Sequence, residues 1–241
     1  MQESYSDLLC DKKLNDAEIS GRYSFQVNEQ KNTINNVISI INPKSTDNIL
    51  DIGSGIGNMS IPISYLCNSV TCIDSEKLNN EVKKRNISNI KFYSGDFIEL
   101  KIEEKFDKII VYSVLHCLNQ KDLYNFIDKC LGLLNINGII LFGDIPNSDK
   151  KKLYINKYQT EEEKITWETL MTRENNNFVI NHELENKCVD FNNKRVEFNN
   201  DSFFDLIKYI RNKEFNCYNQ PQHDNLCFNK TREDIIVRNY S

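Results

Sequence analysis

The chain has 241 residues, a formal net charge of −5 at pH 7 and a sequence pI near 5.4. This acidic balance gives no overall attraction to nucleic acid or to an anionic membrane surface. No apolar run approaches the roughly 20 residues that a membrane-spanning helix needs. Hydrophobic residues make up 39% of the chain, which is enough to build one substantial core.

The N-terminal stretch MQESYSDLLCDKKLND is polar and acidic, unlike a secretory signal, so a cytoplasmic location is expected. The 8 cysteines include no C-x-x-C pair, and most lie in apolar runs, which is typical of reduced thiols in a core. A zinc site built from Cys188, Cys217 and Cys227 with His182 or His223 is disfavoured because the spacing matches no zinc-binding pattern.

Short apolar strands alternate with amphipathic helices from residue 28 to residue 146. The helices are predicted at 28–41, 59–67, 76–86 and 123–135, and the strands at 48–52, 70–74, 90–96, 106–115 and 138–145. Such alternation is typical of a parallel sheet with helices on both faces.

Beyond Pro146 this alternation ends. The segment 148–177 is charged and helix-prone, and 178–198 is predicted to form one or two strands. A helix follows at 201–213 with Asp201 as its N-cap, and EFNCYNQ and EDIIVRN are predicted as a closing pair of strands. We predict a single domain over 1–241, with a cofactor-binding core at 28–146, an insertion or lid at 147–200 and a closing part at 201–241.

Glycine is concentrated at one point of the chain. Of only 8 glycines, Gly53, Gly55 and Gly57 lie within five positions, directly after the strand NILDI. Glycines in the first strand-to-helix turn of such a sheet let the backbone approach a ligand, and the next helix offers unpaired N–H groups. A dinucleotide, a nucleoside or a phosphate would be served equally by this feature alone.

Acidic residues at the ends of the predicted strands indicate which of these ligands the turn binds. Asp74 ends the second strand, where a carboxylate can accept both ribose hydroxyls of an adenosine. Asp96 and Phe97 follow the third strand and supply an acceptor and an apolar ring, and Asp51 lies just before the glycines. Three acids around one pocket disfavour a pyrophosphate and favour a ligand that carries positive charge.

The motifs ILDIGSGIG, CIDSE, YSGDF, FDKIIVYSVLHCL and LNINGIILFGDI resemble, in order and spacing, those of class I S-adenosylmethionine-dependent methyltransferases. The resemblance covers roughly residues 30 to 146 and implies a Rossmann-like α/β sheet of seven strands, the last one antiparallel. It also implies S-adenosylmethionine as cofactor, a sulfonium cation that suits an acidic pocket.

The resemblance implies a role for each matching position. The methionine moiety would lie against Asp51, Gly53, Ser54, Gly55 and Gly57. The ribose would lie against Asp74, with Ser75 beside it, and the adenine between Asp96 and Phe97. Tyr112 and Ser113 would form the floor of the pocket. Metal-dependent relatives place acids after the fourth strand, where this chain has none, so no metal is expected.

His116, just after the fourth strand, is the first candidate for a general base, because its charge changes near neutral pH. Packing between Leu115 and Cys117 at the start of a helix is an equally good explanation for this histidine. Asp144, which ends the fifth strand, is the second candidate.

The N/D-P-P-Y motif of amino-methylating DNA and glutamine enzymes is absent after the fourth strand, where YSVL stands. The expected reaction is therefore O-methylation of a small sugar-like or phosphorylated metabolite, with no nucleic-acid or membrane partner. The order of the C-terminal motifs is similar to that of methyltransferases found among bacterial surface-polysaccharide genes. Two alternatives stay open: an NAD(P)-dependent oxidoreductase, although Asn58 replaces its third fingerprint glycine, and a non-catalytic S-adenosylmethionine-binding interaction module.

Overall fold

The computed structural model describes residues 29–165 and 195–240. Seven strands form one sheet, in the spatial order β3-β2-β1-β4-β5-β7-β6. They are β1 (Asn48–Ile52), β2 (Ser69–Asp74), β3 (Ile90–Ser94), β4 (Phe106–Tyr112), β5 (Leu134–Pro146), β6 (Asn216–Gln220) and β7 (Arg232–Arg238). The strands from β1 to β5 pair in parallel, and β7 runs antiparallel to both β5 and β6. The predicted Rossmann-like fold with an antiparallel last strand is confirmed.

Helices pack on both faces of this sheet. They are α1 (Gln30–Ile41), α2 (Ser60–Ser64), α3 (Glu76–Lys83), α4 (Leu123–Gly132), α5 (Ser148–Leu153) and α6 (Asn200–Asn212). The central strands are buried on both faces and are therefore almost continuously apolar. Alternate residues of β4 reach opposite cores: Ile109 packs with α4 and α6, and Ile110 packs with α1, α2 and α3.

Several predicted boundaries were wrong for identifiable reasons. β4 ends at Tyr112 rather than at residue 115, because Ser113 has φ of +60° and turns the chain into a 3₁₀ turn at Leu115–Cys117. β3 ends at Ser94 rather than at residue 96, because Gly95 has φ of +131°. β5 begins at Leu134, four residues before the prediction, and its pairing with β4 is irregular near that start.

The helix predictions were too long. The helices predicted at 28–41, 59–67, 76–86 and 123–135 are Gln30–Ile41, Ser60–Ser64, Glu76–Lys83 and Leu123–Gly132. The N-cap of α6 is also a correction: Asn199, not Asp201, accepts the N–H of Ser202, and the Ser202 hydroxyl accepts the N–H of Asn199 in a capping box. Asp201 lies in the first turn of that helix, where its charge complements the helix dipole.

The segment after β5 is described in part. α5 continues into one turn of π-helix at Tyr154–Tyr158, so the predicted helical character of 148–177 is confirmed for its first part. The remainder of that prediction, from 166 onward, and the predicted strands up to residue 194 lie outside the described residues. Within 195–198 the structure shows one isolated bridge, between Arg195 and Asn119, rather than a strand. In the described part of the chain, no helix combines the length and apolar character needed to cross a bilayer.

Candidate active site

The glycine-rich turn between β1 and α2 lies at the carboxyl edge of the sheet. Gly53, Gly55 and Gly57 all have positive φ, at +75°, +56° and +84°. Side chains would be strained in this conformation. At Gly53 a Cβ would also overlap the side chain of Val114, which follows β4. The turn after β1 and the turn after β4 therefore touch, and glycine is required at their contact.

Asp74 anchors this turn. One of its carboxylate oxygens accepts the N–H of Gly55 at 2.8 Å, and the other accepts the N–H of Ser75 at 2.7 Å. Burial raises the pKa of Asp74, and these two backbone hydrogen bonds act in the opposite direction. Each carboxylate oxygen retains capacity for a further donor, as two ribose hydroxyls would require.

Asp51 is a second buried carboxylate at the same edge. Its side chain accepts the hydroxyl of Ser60, at the start of α2, at 2.5 Å. Burial raises the pKa of Asp51 to about 6; the Ser60 hydrogen bond lowers it, and the negative charge of Asp74 raises it. A positively charged ligand would relieve this cost, because it favours the ionised carboxylate.

The predicted adenine-side residues are placed differently from one another. Asp96 is exposed and accepts the N–H of Ile98 at 2.9 Å, which shapes the turn after β3. Phe97 is buried, and its ring meets that of Phe126 edge-on at a centroid distance of 4.9 Å. The Phe97 ring is thus part of the core under the rim, and its contact with an adenine stays a prediction.

Sequence reasoning missed two side chains that hold this rim in shape. The Lys129 ammonium, from α4, donates to the backbone carbonyls of Phe97, Ile98 and Leu100. The buried Asn79 amide, from α3, donates to the carbonyl of Tyr93 at 2.9 Å. Both lie on helix faces that the sequence pattern describes only as polar, so nothing in the pattern distinguished them from exposed residues.

The turn after β4 meets the end of β5 through a pair of predicted residues. The Ser113 hydroxyl donates to the Asp144 carboxylate, and the Ser113 N–H donates to the carbonyl of Gly143 at 3.0 Å. Asp144 has φ of +58°, and Arg232 lies 3.7 Å from its second carboxylate oxygen. Tyr112 packs over Gly143, where a side chain would overlap the Tyr112 ring.

A small cavity of about 10 Å³, enough for one water molecule, opens beside this pair, between the start of α1, the ends of β4 and β5, and the segment 222–228 that precedes β7. The lining residues are Glu29, Gln30, Thr33, Tyr112, Asp144, Gln222, Leu226, Cys227 and Phe228. Two predicted residues, Tyr112 and Asp144, thus share a cavity. His116 lies half-buried in the 3₁₀ turn after β4 and is not among these lining residues.

A buried carboxylate behind this cavity was also missed. Asp234, in β7, accepts the backbone N–H of Asp144 and the side-chain amide of Gln222, both at 2.8 Å and both on the same oxygen. The only sequence signal was the run RED at the start of an apolar strand, where three charged residues are unusual for a buried position.

Comparison with known proteins gives one family match: residues 49–138 match the family model described as Methyltransferase domain. A ribosomal RNA small subunit methyltransferase A from Wigglesworthia glossinidia brevipalpis is 29% identical over 123 residues, 46% of this chain and 46% of that protein. A ubiquinone biosynthesis O-methyltransferase from Pelagibacter ubique is 32% identical over 116 residues, 46% of this chain and 48% of that protein. The chain thus spans about half the length of these two curated relatives.

Solved structures agree on the fold. The N-methyltransferase NodS from Bradyrhizobium japonicum, in complex with S-adenosyl-L-homocysteine, superposes with a TM-score of 0.56 at 15% identity and covers 100% of both chains. The sheet order and the antiparallel β7 belong to the same architecture. Residues 49–138 are thus similar to a methyltransferase domain, and the chain shares its fold with this solved structure.

Proposed function

We propose that this chain transfers the methyl group of S-adenosylmethionine to a small polar acceptor. The observation that carries the proposal is the glycine turn held on Asp74, with Asp51 buried beside it. That donor set suits a ligand that combines two ribose hydroxyls with positive charge. The domain match and the complexes of related folds with the demethylated product support the same cofactor.

The residues that would hold the cofactor lie along one edge of the sheet. Gly53, Gly55 and Gly57 would let the main chain approach the methionine moiety, and Asp51 would face its charge. Asp74 would accept the ribose hydroxyls. The sulfonium supplies an already activated methyl group, so the chain's contribution is to align a nucleophile with it and to exclude water.

The proposed acceptor site lies beside Tyr112 and Asp144, where the small cavity would have to widen to admit a sugar-like molecule. It lies past the ends of β4 and β5, the edge at which parallel sheets bind ligands. Its described lining carries two carboxylates, Glu29 and Asp144, and neither lysine nor arginine. Arg232 lies next to this lining, but it is paired with the Asp144 carboxylate at 3.7 Å. Among the classes that the sequence suggested, a hydroxyl-bearing, sugar-like acceptor therefore suits this site better than a phosphorylated one.

Two of the three lysines at positions 150–152, which could bind a phosphate, form local pairs. Lys150 lies 3.4 Å from the Glu233 carboxylate and donates to the carbonyl of Arg232 at 2.8 Å, and Lys152 lies 3.8 Å from Asp149. A run of lysines at the start of α5 is thus explained in part by local pairing. O-methylation is retained as the proposed reaction.

Asp144 is the base that we favour, because it lines the cavity and the Ser113 hydroxyl is hydrogen-bonded to it. A proton leaving the acceptor hydroxyl could pass to this pair, and such a transfer contributes roughly 10²- to 10⁴-fold to a rate. His116 is the second candidate for the base, since it lies four residues after the end of β4.

Titration calorimetry with S-adenosylhomocysteine tests the cofactor, with NADP⁺ as the control ligand. Heat with the first and none with the second supports the proposal, whereas heat with NADP⁺ alone would support a reductase. A mass-spectrometric screen of sugars and sugar nucleotides, with S-adenosylmethionine present, then looks for the mass gain of one methylene unit. If only the phosphorylated compounds of the screen, which include the sugar nucleotides, were methylated and no unphosphorylated sugar was, the acceptor class argued from the cavity lining would be contradicted.

A further inference from the structure

Asp234 occupies an irregular part of the sheet. It pairs with Gln220 of β6 and is fully buried. On its other side, the register between β5 and β7 shifts between Phe142 and Ile145, so two residues of β5 leave the regular ladder. Asp144 is one of them, and its backbone N–H would lack a ladder partner at this bulge.

The Asp234 carboxylate supplies that missing partner. Its Oδ1 atom accepts the N–H of Asp144 at 2.8 Å while Asp144 adopts φ of +58°. A left-handed conformation is unfavourable for a residue with a side chain, and it persists where neighbouring groups hold it. The hydrogen bond to Asp234 is the contact that turns Asp144 toward Ser113 and the cavity.

The same oxygen also holds the opposite wall. Gln222 donates its side-chain amide to Oδ1 of Asp234 at 2.8 Å, and Gln222 opens the segment 222–228 that closes the cavity. The Gln222 side chain is itself buried. One carboxylate oxygen therefore connects the end of β5 with the segment before β7, and both of these residues line the cavity.

We propose that Asp234 is a positioning residue for the acceptor cavity, which fixes Asp144 on one wall relative to Gln222 on the other. This inference rests on the proposed function, because it assigns a role to the same cavity. The pKa of Asp234 is raised to about 6, mainly by burial and also by the nearby charges of Asp144 and Glu233, although the two hydrogen bonds act in the opposite direction. Burying an ionised carboxylate is energetically unfavourable, and an acid at this position is therefore consistent with a positioning role rather than with stability alone.

The test compares three variants of the full chain. Asp234→Ala removes the shared oxygen, and Asp234→Asn keeps an acceptor oxygen of the same shape without the charge. Asp107→Ala is the matched control: the Asp107 carboxylate also accepts two hydrogen bonds, from the N–H of Asn48 and the amide of Asn135, but at the opposite edge of the sheet. It should affect overall stability without affecting the cavity.

Hydrogen–deuterium exchange followed by mass spectrometry reports the two walls directly. In Asp234→Ala, amides in peptides covering 143–147 and 221–231 should exchange about tenfold faster, the factor that corresponds to one lost hydrogen bond. The exposed thiol of Cys227, in the second wall, should also react faster with iodoacetamide. Asp234→Asn should return both rates to within about threefold of the wild type, because the asparagine oxygen still accepts from both donors.

Binding of S-adenosylhomocysteine separates this inference from the proposed function. Its affinity should be equal in the wild type and all three variants, because Asp234 lies outside the glycine turn. For any acceptor found in the screen, Asp234→Ala should lower both kcat and kcat/KM at least about fivefold, because it displaces Asp144, the favoured base. Asp234→Asn should restore both values.

Two results would overturn the inference. Unchanged exchange in both peptides of Asp234→Ala would show that the carboxylate does not hold the walls. Equal acceleration in Asp107→Ala would show that any loss of stability has the same effect. By contrast, absence of S-adenosylhomocysteine binding in the wild type would refute the proposed cofactor while the exchange result would still stand.

Discussion

Substitution of Gly53 by alanine is a sharp test of the glycine turn. Gly53 has φ of +75°, and a left-handed conformation costs a residue with a side chain about 1–2 kcal/mol. The added methyl would also overlap Val114, so that side chain must move, at a further cost of about 1–3 kcal/mol. We therefore expect Gly53→Ala to lower the free energy of unfolding by about 2–5 kcal/mol and to lower Tm by about 5–15 °C.

Gly132 provides the control for this substitution. It is the last residue of α4, and no atom lies within 4 Å of the place that a Cβ would occupy. Gly132→Ala should therefore leave stability unchanged or raise it by up to about 1 kcal/mol. Urea unfolding of both variants, followed by circular dichroism, measures the difference.

A double-mutant cycle isolates the steric part. Val114→Ala removes the methyl groups that meet the new side chain, so the combination with Gly53→Ala should recover about 1–3 kcal/mol relative to the sum of the single effects. The free-energy cost of the left-handed backbone conformation at position 53 should remain in the double variant. If Gly53→Ala proved as stable as Gly132→Ala, or if the cycle showed no coupling, the contact between the two turns would not exist as described.

Four further predictions follow from the site and the fold. Because burial raises the pKa of Asp51 to about 6, affinity for the sulfonium cation S-adenosylmethionine should fall by up to about tenfold per pH unit below 6, and in Asp51→Asn a calorimetric pH series should be flat. The pKa of Asp234 is higher in the folded than in the unfolded chain, so this group should lower the free energy of unfolding by about 3 kcal/mol as pH rises from 4 to 6. Urea unfolding of Asp234→Asn should not show this decrease. If His116 is the base, His116→Ala should lower turnover by about 10²-fold and leave S-adenosylhomocysteine binding unchanged. Unchanged turnover would exclude His116 as the base. Asn199→Ala should cost about 1 kcal/mol in thermal unfolding by loss of the capping box, and Asp201→Ala less than half as much.

Much of the parallel half of the fold could be predicted because its signals are local. The strand at 48–52 was predicted with its observed bounds, since its apolar residues Ile49, Leu50 and Ile52 reach both cores and a glycine turn follows. The anchoring of that turn by Asp74 follows from the same logic, because neighbouring parallel strands end at one edge. Spacing along the chain is sufficient where the contacts involve consecutive elements.

Contacts between distant segments could not be predicted in the same way. The hydrogen bond from Asp144 to Asp234 joins residues 90 positions apart and exists only because β7 lies beside β5. The φ values of Ser113 and Asp144 depend on that arrangement too, and serine as a residue type does not indicate a left-handed conformation. The proposed acceptor site therefore depends on tertiary structure, whereas the proposed cofactor site depends mainly on contacts between consecutive elements.

The position of β7 has a consequence for synthesis of the chain. β7 lies between β5 and β6, so β6 pairs with nothing else in the described sheet, and the apolar edge of β5 has no cover until residues 232–238 have left the ribosome. A nascent chain halted before that point would expose an open strand edge of the kind that promotes aggregation. Ribosomal pausing before residue 232 should therefore be harmful, and a chaperone that shields strand edges should raise the yield.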